Sequence, residues 1–222
     1  MCIRDSSIAW SFRRAPGFFD EVCYQGNGVI GSTVTHNLAA VPELVIIKSR
    51  SSGYAQGWIV GSTLLASNEY LQLNTTIAKS TAFDYWNSTY PTSTQITLGA
   101  DTGVNSGTGA TYVAYLFASC PGVSKVGSYT GNGTTQTINC GFAGGARFVL
   151  IKRTDSTGDW YVYDTARGMT TLTDPYLRLN STAAESATLG SVTTVTTGFA
   201  VNASILAAIN TNGASYIYFS VA

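Results

Sequence analysis

The chain has 222 residues, of which 45% are apolar and 11% are charged, and its 12 basic and 12 acidic residues leave no net formal charge. Such an apolar content without net charge excludes an intrinsically disordered chain, and the charge balance excludes the basic surface that nucleic-acid binding requires. No run approaches the roughly 18 apolar residues of a membrane-spanning helix, so membrane insertion is not expected.

The first 17 residues differ from the rest of the chain. Residues 1–6, MCIRDS, back-translate to a string that resembles the end of a sequencing-library adapter, and we interpret them as a scar of library construction. Within residues 7–17, the segment IAWSF at 8–12 matches VAYLF at 113–117. We therefore predict that residues 7–17 are the last strand and linker of a truncated preceding repeat, which implies a longer parent protein.

The remainder of the chain is one unit written twice. The phrases YQGNG, ELVIIKSR, YLQLN and GATYVAYLFA recur in the same order as YTGNG, RFVLIKRT, YLRLN and GASYIYFSVA. A repeat of roughly 100 residues has the length of a complete small domain. We predict a first unit at residues 18–118, a linker at 119–122 and a second unit at 123–222.

Short apolar and alternating patterns predict β-strands in both units. The runs LVIIK at 44–48 and FVLIK at 148–152 are short and rich in β-branched residues, which is typical of buried strands. YLQLN and YLRLN alternate apolar and polar residues, as half-buried strands do. The Gly-Asn-Gly segments at 26–28 and 131–133 predict hairpin turns. The fold class is therefore all-β, with two tandem antiparallel β-sandwiches that are jelly-roll-like or immunoglobulin-like.

The same patterns predict which aliphatic and aromatic side chains form the core, because alternate residues of a strand face the same side of the sheet. The expected core residues are Val45, Ile47, Leu71, Leu73, Val113 and Leu116 in the first unit, and Val149, Ile151, Leu177, Leu179, Ile217 and Phe219 in the second.

Residue types that perform catalysis or bind metals are sparse. His36 is the single histidine, and no nucleophile or carboxylate lies close to it in sequence. Asp155 and Asp159 offer oxygen ligands, but Ca²⁺ needs about six to eight of them, which favours a turn capped by Asp side chains. The cysteines have no metal-binding spacing. A glycan-cleaving depolymerase would need two carboxylates placed for acid and base work. We expect no catalytic residue, no metal site and no cofactor, and hence no enzyme.

One cluster stands out as a candidate binding site. Residues 83–91 place three amphipathic aromatic side chains beside an acid and an amide in a segment that is interpreted as a loop. Aromatic rings with adjacent polar groups suit the recognition of a sugar face or of a protein surface. The second unit lacks such a cluster, which favours a role beyond the fold; the alternative is that the rings close the end of the sandwich as a lid over the core. The candidate binding residues are Tyr85, Trp86 and Tyr90, with Asp84 and Asn87.

Several phrases carry a resemblance to a known family. FRRAPGFFD, GNG, VPELVIIKSR, LIKRTDSTGDWYVYDTARG and LNSTAA resemble a domain of unknown function that recurs in tail-fibre and minor tail proteins of tailed bacteriophages. The resemblance covers both units. It implies a virion component outside the cell, with other tail proteins as partners and a homotrimeric state in a fibre, and it comes with no established active site.

Two functions are therefore expected. The first is a non-enzymatic structural and adhesive module of a phage tail that contacts a glycan or protein receptor on the host surface. The alternative is a carbohydrate-binding module appended to an extracellular protein, which the predicted sandwich and the aromatic segment favour.

Overall fold

A computed structural model describes residues 9–51, 57–107, 109–169, 174–202 and 206–222. They form an almost entirely β structure with antiparallel pairing throughout, so the all-β sandwich prediction is confirmed. The strands of the first half are β1 (Phe19–Gln25), β2 (Ser32–Thr35), β3 (Leu44–Ser49), β4 (Ile59–Ser62), β5 (Glu69–Gln72), β6 (Ser80–Thr81), β7 (Gln95–Leu98) and β8 (Thr111–Phe117). Those of the second half are β9 (Ser124–Thr130), β10 (Gln136–Asn139), β11 (Phe148–Arg153), β12 (Trp160–Asp164), β13 (Asp174–Arg178), β14 (Ser186–Thr188), β15 (Val192–Val195), β16 (Gly198–Val201) and β17 (Ser215–Val221). The described helices are α1 (Phe83–Trp86) and a 3₁₀ turn (Ala207–Ile209).

The two halves share one strand order. The first large sheet has the order β1-β8-β3-β4-β5-β6, and the second large sheet has the order β9-β17-β11-β12-β13-β14. Each strand of one sheet takes the place of the strand with the matching sequence in the other. A small sheet accompanies each large sheet, β2-β7 in the first half and β10-β16-β15 in the second.

Each large sheet is buried on both faces. Val45 and Ile47 of β3 pack toward the small sheet of their half, whereas Leu44 and Ile46 face the other way, into a second cluster. Successive residues of a strand point to opposite faces, so a strand with both faces covered needs apolar residues in succession. The uninterrupted runs LVII and FVLI therefore reflect double burial.

The second cluster joins the two halves. It contains Ile46 and Phe117 from the first large sheet and Leu150, Trp160 and Phe219 from the second, and we call it the shared core. The sheets thus stack in four layers, with the two large sheets inside. Two units joined only by the linker at 119–122 would not bury apolar surface against each other, so the structure does not confirm the predicted tandem arrangement of separate domains.

The amino-terminal segment lies against the shared core. The strand predicted at 7–12 is not formed over residues 9–12. Instead, the ring of Phe12 lies 5.5 Å from that of Phe117 and 6.2 Å from that of Phe219, measured between centroids. The segment therefore packs against both halves through its side chains, although residues 9–12 do not pair with a strand. Its descent from a preceding repeat stays a prediction, and residues 1–6 lie outside the described part of the chain.

Most of the predicted core residues are buried. Val45, Ile47, Leu71, Val113, Leu116, Val149, Ile151, Ile217 and Phe219 are all less than 7% exposed. Leu73, Leu177 and Leu179 are partly exposed. Leu177 lies in β13, and Leu73 and Leu179 directly follow β5 and β13, the strands next to the edge strands β6 and β14.

The Gly-Asn-Gly segments are turns, but the hairpins predicted for them are not formed. Each segment leads from a large sheet to a small sheet, because β1 pairs with β8 and β2 pairs with β7. Gly28 and Gly133 have φ values of 69° and 71°, which glycine adopts readily. A buried amide holds each turn: the backbone N–H groups of Asn27 and Asn132 donate to the side chains of Asn105 and Asn210 at 2.8 and 3.0 Å.

Candidate functional site

The predicted binding segment begins with one helical turn. Residues 83–86 form α1, and Asn87 and Ser88 end it with φ values of 49° and 48°. The segment was predicted to be a loop, and the structure has a helix at its start. The helix was not predicted because four residues are too few to show a helical periodicity. The turn places consecutive side chains in different directions, so the five candidate residues do not share one surface.

Two of the candidate rings are buried. Tyr85 is 8% exposed and Trp86 is 7% exposed, and both belong to the core of the first half. The Tyr85 ring lies 4.5 Å from that of Tyr70 between centroids. A ligand cannot stack on either ring in this conformation, and the lid alternative describes both side chains.

The second half shows why the first half needs this lid. Gly61 of β4 corresponds to Tyr163 of β12, a fully buried residue. The Trp86 indole lies on Gly61 so closely that a Cβ at that position would be 2.7 Å from its Cζ2 atom. The volume that Tyr163 fills from the strand in one half is thus filled by Trp86 from α1 in the other. This difference in packing accounts for the buried Trp86 in the first half, and the binding role of the cluster stays a prediction.

The other three candidate residues reach the surface. Tyr90 is 46% exposed, and its hydroxyl donates to the carbonyl oxygen of Leu65 at 2.9 Å. Asp84 is exposed and Asn87 is partly exposed. The segment therefore offers two accessible aromatic rings, those of Tyr90 and of Phe83, which is 50% exposed, with two polar side chains nearby in sequence.

The remaining sequence candidates have structural partners. His36 is 6% exposed; its Nδ1 accepts from the backbone N–H of Leu38, and its Nε2 lies 3.2 Å from the carbonyl oxygen of Thr92. Burial lowers the pKa of His36, which favours the neutral ring. Asp155 accepts from Arg153 and from the backbone N–H of Ser215, as in a capped turn. Within the described ranges, no three His, Cys, Asp or Glu side chains lie close enough to hold a metal ion.

Most described carboxylates accept hydrogen bonds inside the fold. Burial would raise the pKa of Asp164, but hydrogen bonds from Arg167 and from the Trp10 indole N–H outweigh it and lower that pKa. Asp174 is fully buried and accepts from the backbone N–H groups of Gly190 and Val192. The carboxylates that accept hydrogen bonds in this way include Asp20, Glu43, Glu69, Asp101, Asp155, Asp159, Asp164, Asp174 and Glu185.

An open cleft lies on the first large sheet, where the second large sheet does not cover it. We call it the aromatic cleft and define it by Trp10, Phe19, Glu21, Trp58 and Tyr115; its volume is about 430 Å³. The Trp58 and Tyr115 ring planes are within 15° of each other with centroids 6.4 Å apart, and those of Phe19 and Tyr115 are within 12° with centroids 6.5 Å apart. Ligand sites combine such apolar walls with a few polar groups.

Polar groups stand at the rim of the aromatic cleft. Glu21 of β1 is exposed and lies directly opposite Tyr115 of β8 in the strand register. Burial, together with the nearby Glu21 carboxylate, raises the pKa of Tyr115, so the phenol keeps its proton at neutral pH. Arg50 reaches the same side and donates to the Cys23 sulfur at 3.5 Å. Sequence reasoning missed this cleft, although a comparison of the two copies marks it: Val126 and Phe219 of the second half correspond to Glu21 and Tyr115.

A buried lysine ties the two halves together. Lys152 is 0% exposed, and its Nζ donates to the carbonyl oxygen of Gly158 at 2.5 Å and to that of Thr76, in the other half, at 3.2 Å. The Gly158 N–H donates to the same Thr76 oxygen at 2.9 Å, and the Lys79 N–H donates to Thr154 at 2.9 Å. These contacts fix the first half against the hairpin that joins β11 and β12.

Replacing Lys152 by methionine should remove a pH dependence of stability. Burial lowers the pKa of Lys152 to about 8, and the Asp159 carboxylate offsets part of that effect. Unfolding restores the ordinary, higher pKa, so the unfolded chain binds more protons above pH 8 and the free energy of unfolding rises with pH there. Between about pH 7 and 10, the wild type should gain on the order of 2 kcal/mol relative to the variant.

Urea denaturation at a series of pH values measures this difference. Lys48→Met is the matched control, because Lys48 holds the corresponding position in β3 and is only partly buried. We expect the control to keep the pH dependence of the wild type. Parallel curves for the wild type and Lys152→Met would contradict the prediction.

The geometry defines the class of protein: an all-β sandwich of four stacked antiparallel sheets with an aromatic cleft on one inner sheet. The chain belongs to a family described as a domain of unknown function, DUF7483, whose model matches residues 7–222 and thus covers both halves. No curated protein and no solved structure matches it. In the described part of the chain, none of the helices has the length and apolar character to cross a membrane.

Proposed function

We propose that the chain is a non-enzymatic structural and adhesive module of a bacteriophage tail fibre or minor tail protein. The observation that carries this proposal is the shared core, which joins two halves of like topology face to face. A module built in this way resists relative movement of its halves, because separation would expose the apolar faces of both large sheets. Mechanical continuity of this kind suits a virion component.

The use of the carboxylates supports a function without catalysis. Asp20, Asp164 and Asp174 are buried and accept hydrogen bonds from side chains or backbone N–H groups that hold the fold together. A glycosidase needs two carboxylates free to act as acid and base or nucleophile, about 5–9.5 Å apart across a bound sugar. We therefore assign the described acids of the core to stability.

The proposed surroundings are those of a tail. Other virion proteins are the partners, the assembly in a fibre is a homotrimer, and the module lies outside the cell, with a host-surface glycan or protein as receptor. Repetition of a weak site over several copies raises the effective affinity without new contacts, which suits an adhesive fibre. The phrase similarity to phage tail domains and the low charge of the chain support this placement.

The alternative function is a carbohydrate-binding module appended to an extracellular protein. The observation that favours it is the aromatic cleft, which pairs half-buried Trp58 and Tyr115 rings with the exposed Glu21 carboxylate. The two functions differ in what surrounds the module, and both allow binding of a glycan.

The genes that flank this one test the choice. We expect tail-tube, tape-measure or baseplate genes beside it. A gene for a secreted polysaccharide-degrading enzyme in their place, or a catalytic domain in the same reading frame, would contradict the phage proposal and support the alternative. The purified chain should release no reducing ends from bacterial surface polysaccharides; release would contradict the non-enzymatic assignment.

A further inference from the structure

The two halves place different side chains at one position of their large sheets. In the second half, Val126 of β9 pairs with Phe219 of β17, and both are 2% exposed in the shared core. In the first half, Glu21 and Tyr115 form the corresponding pair of β1 and β8 and face the aromatic cleft. The apolar pair of the second half is thus a carboxylate and a phenol in the first half, at the place where the second large sheet no longer covers the first.

The corresponding tryptophans differ in the same way. Trp160 is 1% exposed and lines a cavity of only about 10 Å³, and its Nε1 donates to the carbonyl oxygen of Gln72 at 2.8 Å. Trp58 is partly exposed and lines the 430 Å³ cleft. The offset packing of the two large sheets covers one tryptophan and leaves its duplicate accessible.

We propose that the aromatic cleft binds a saccharide, with a sugar ring stacked on Trp58 and its hydroxyl groups bonded to Glu21 and Tyr115. The inference rests on the proposed adhesive function and names its ligand class and its site. It moves the glycan contact away from residues 83–91, whose two central rings are buried.

The chemistry of the cleft matches that of a sugar. One face of a pyranose presents C–H groups, which pack on an aromatic ring, and the ring edge presents hydroxyl groups, which need hydrogen-bond partners. An ionised carboxylate accepts from two hydroxyl groups, and a protonated phenol both donates and accepts. The 430 Å³ volume lies within the range of small-molecule sites.

Fluorine NMR of the full chain labelled with 5-fluorotryptophan tests the inference. The chain has four tryptophans, of which Trp10 and Trp58 line the cleft while Trp86 and Trp160 are buried and serve as internal references. Tryptophan-to-phenylalanine variants assign the signals. The probes are glucose, galactose, mannose, rhamnose, N-acetylglucosamine, N-acetylgalactosamine and sialic acid, each raised to its solubility limit.

We expect at least one sugar to shift the Trp58 signal saturably while the Trp86 and Trp160 signals stay in place. Glu21→Val and Tyr115→Phe install the residues of the second half, so they keep the strand pairing, and each should weaken binding about tenfold, as the loss of a hydrogen bond to a bound group does. The matched control is Tyr90→Ala, which removes an exposed ring of residues 83–91 and should leave binding unchanged.

Four results would overturn the inference. The first is that none of the sugars shifts the Trp58 signal saturably, and the second is that Glu21→Val and Tyr115→Phe leave binding intact. The third is that Tyr90→Ala abolishes binding. The fourth is a Trp58 signal that shifts with protein concentration instead of with sugar, which would mean that a second copy of the chain occupies the cleft. Loss of sugar binding in Tyr90→Ala would instead place the adhesive contact at residues 83–91. Flanking genes unrelated to phage tails would overturn the proposed function, whereas the evidence for a saccharide bound at Trp58 would be unaffected.

Discussion

Replacing Trp160 by alanine should lower the free energy of unfolding by about 3–5 kcal/mol. The indole is 1% exposed in the shared core, and its Nε1 donates to the Gln72 carbonyl oxygen of the other half at 2.8 Å. The variant therefore loses a large apolar contact together with the hydrogen bond to the half-buried Gln72 carbonyl oxygen. Because both large sheets contribute to the shared core, we expect one unfolding transition for the whole chain.

Chemical denaturation followed by circular dichroism measures this effect. Trp58→Ala is the matched control, since Trp58 holds the corresponding position but is partly exposed, and its loss should be smaller. Two separate transitions, of which Trp160→Ala moves one alone, would contradict the shared-core account and would support the sequence-based prediction of independent units at 18–118 and 123–222.

Replacing Trp86 by alanine should lower the free energy of unfolding by about 3 kcal/mol or more. The indole lies on Gly61 and fills the volume that Tyr163 fills in the second half, so its removal leaves a cavity in the first half. Its Nε1 is buried without a hydrogen-bond partner in the described part of the chain. Trp86→Phe keeps a ring and removes that donor, and it should therefore be less destabilising.

Thermal and urea denaturation of the two variants check this prediction. A loss within roughly half a kcal/mol for Trp86→Ala is the size expected of a surface substitution, and it would mean that the ring does not close the core. The same result would return residues 83–91 to the candidate binding surfaces. A glycan-binding assay of Trp86→Ala separates a binding role of the ring from a core role only if the variant is first shown to be folded.

The strands were accessible to sequence reasoning because their signals are local. The runs at 44–48 and 148–152 and the alternation in YLQLN and YLRLN depend on neighbouring residues, and each became a strand of a large sheet. The internal match between the halves likewise predicted equal strand orders, since like sequences form like sheets.

The candidate site was less accessible. Aromatic residues near polar ones describe a binding surface and a core lid equally well, and the lid became visible through the pairing of Gly61 with Trp86, which are far apart in sequence. The aromatic cleft was not predicted, because it depends on which part of the first large sheet the second one leaves uncovered. The available signal was the comparison of the two halves, in which Glu21 and Tyr115 correspond to the apolar residues Val126 and Phe219.

The sequence by itself determined the all-β class, the strands and the repetition of one topology, because periodicity, turn residues and duplication are properties of the chain alone. Tertiary structure decided that the halves meet through a shared core, that residues 9–12 pack against both halves, and that Trp58 stays accessible while Trp160 does not. The reason is that packing of one sheet face on another depends on the offset between two surfaces, and neither surface encodes that offset in its local pattern.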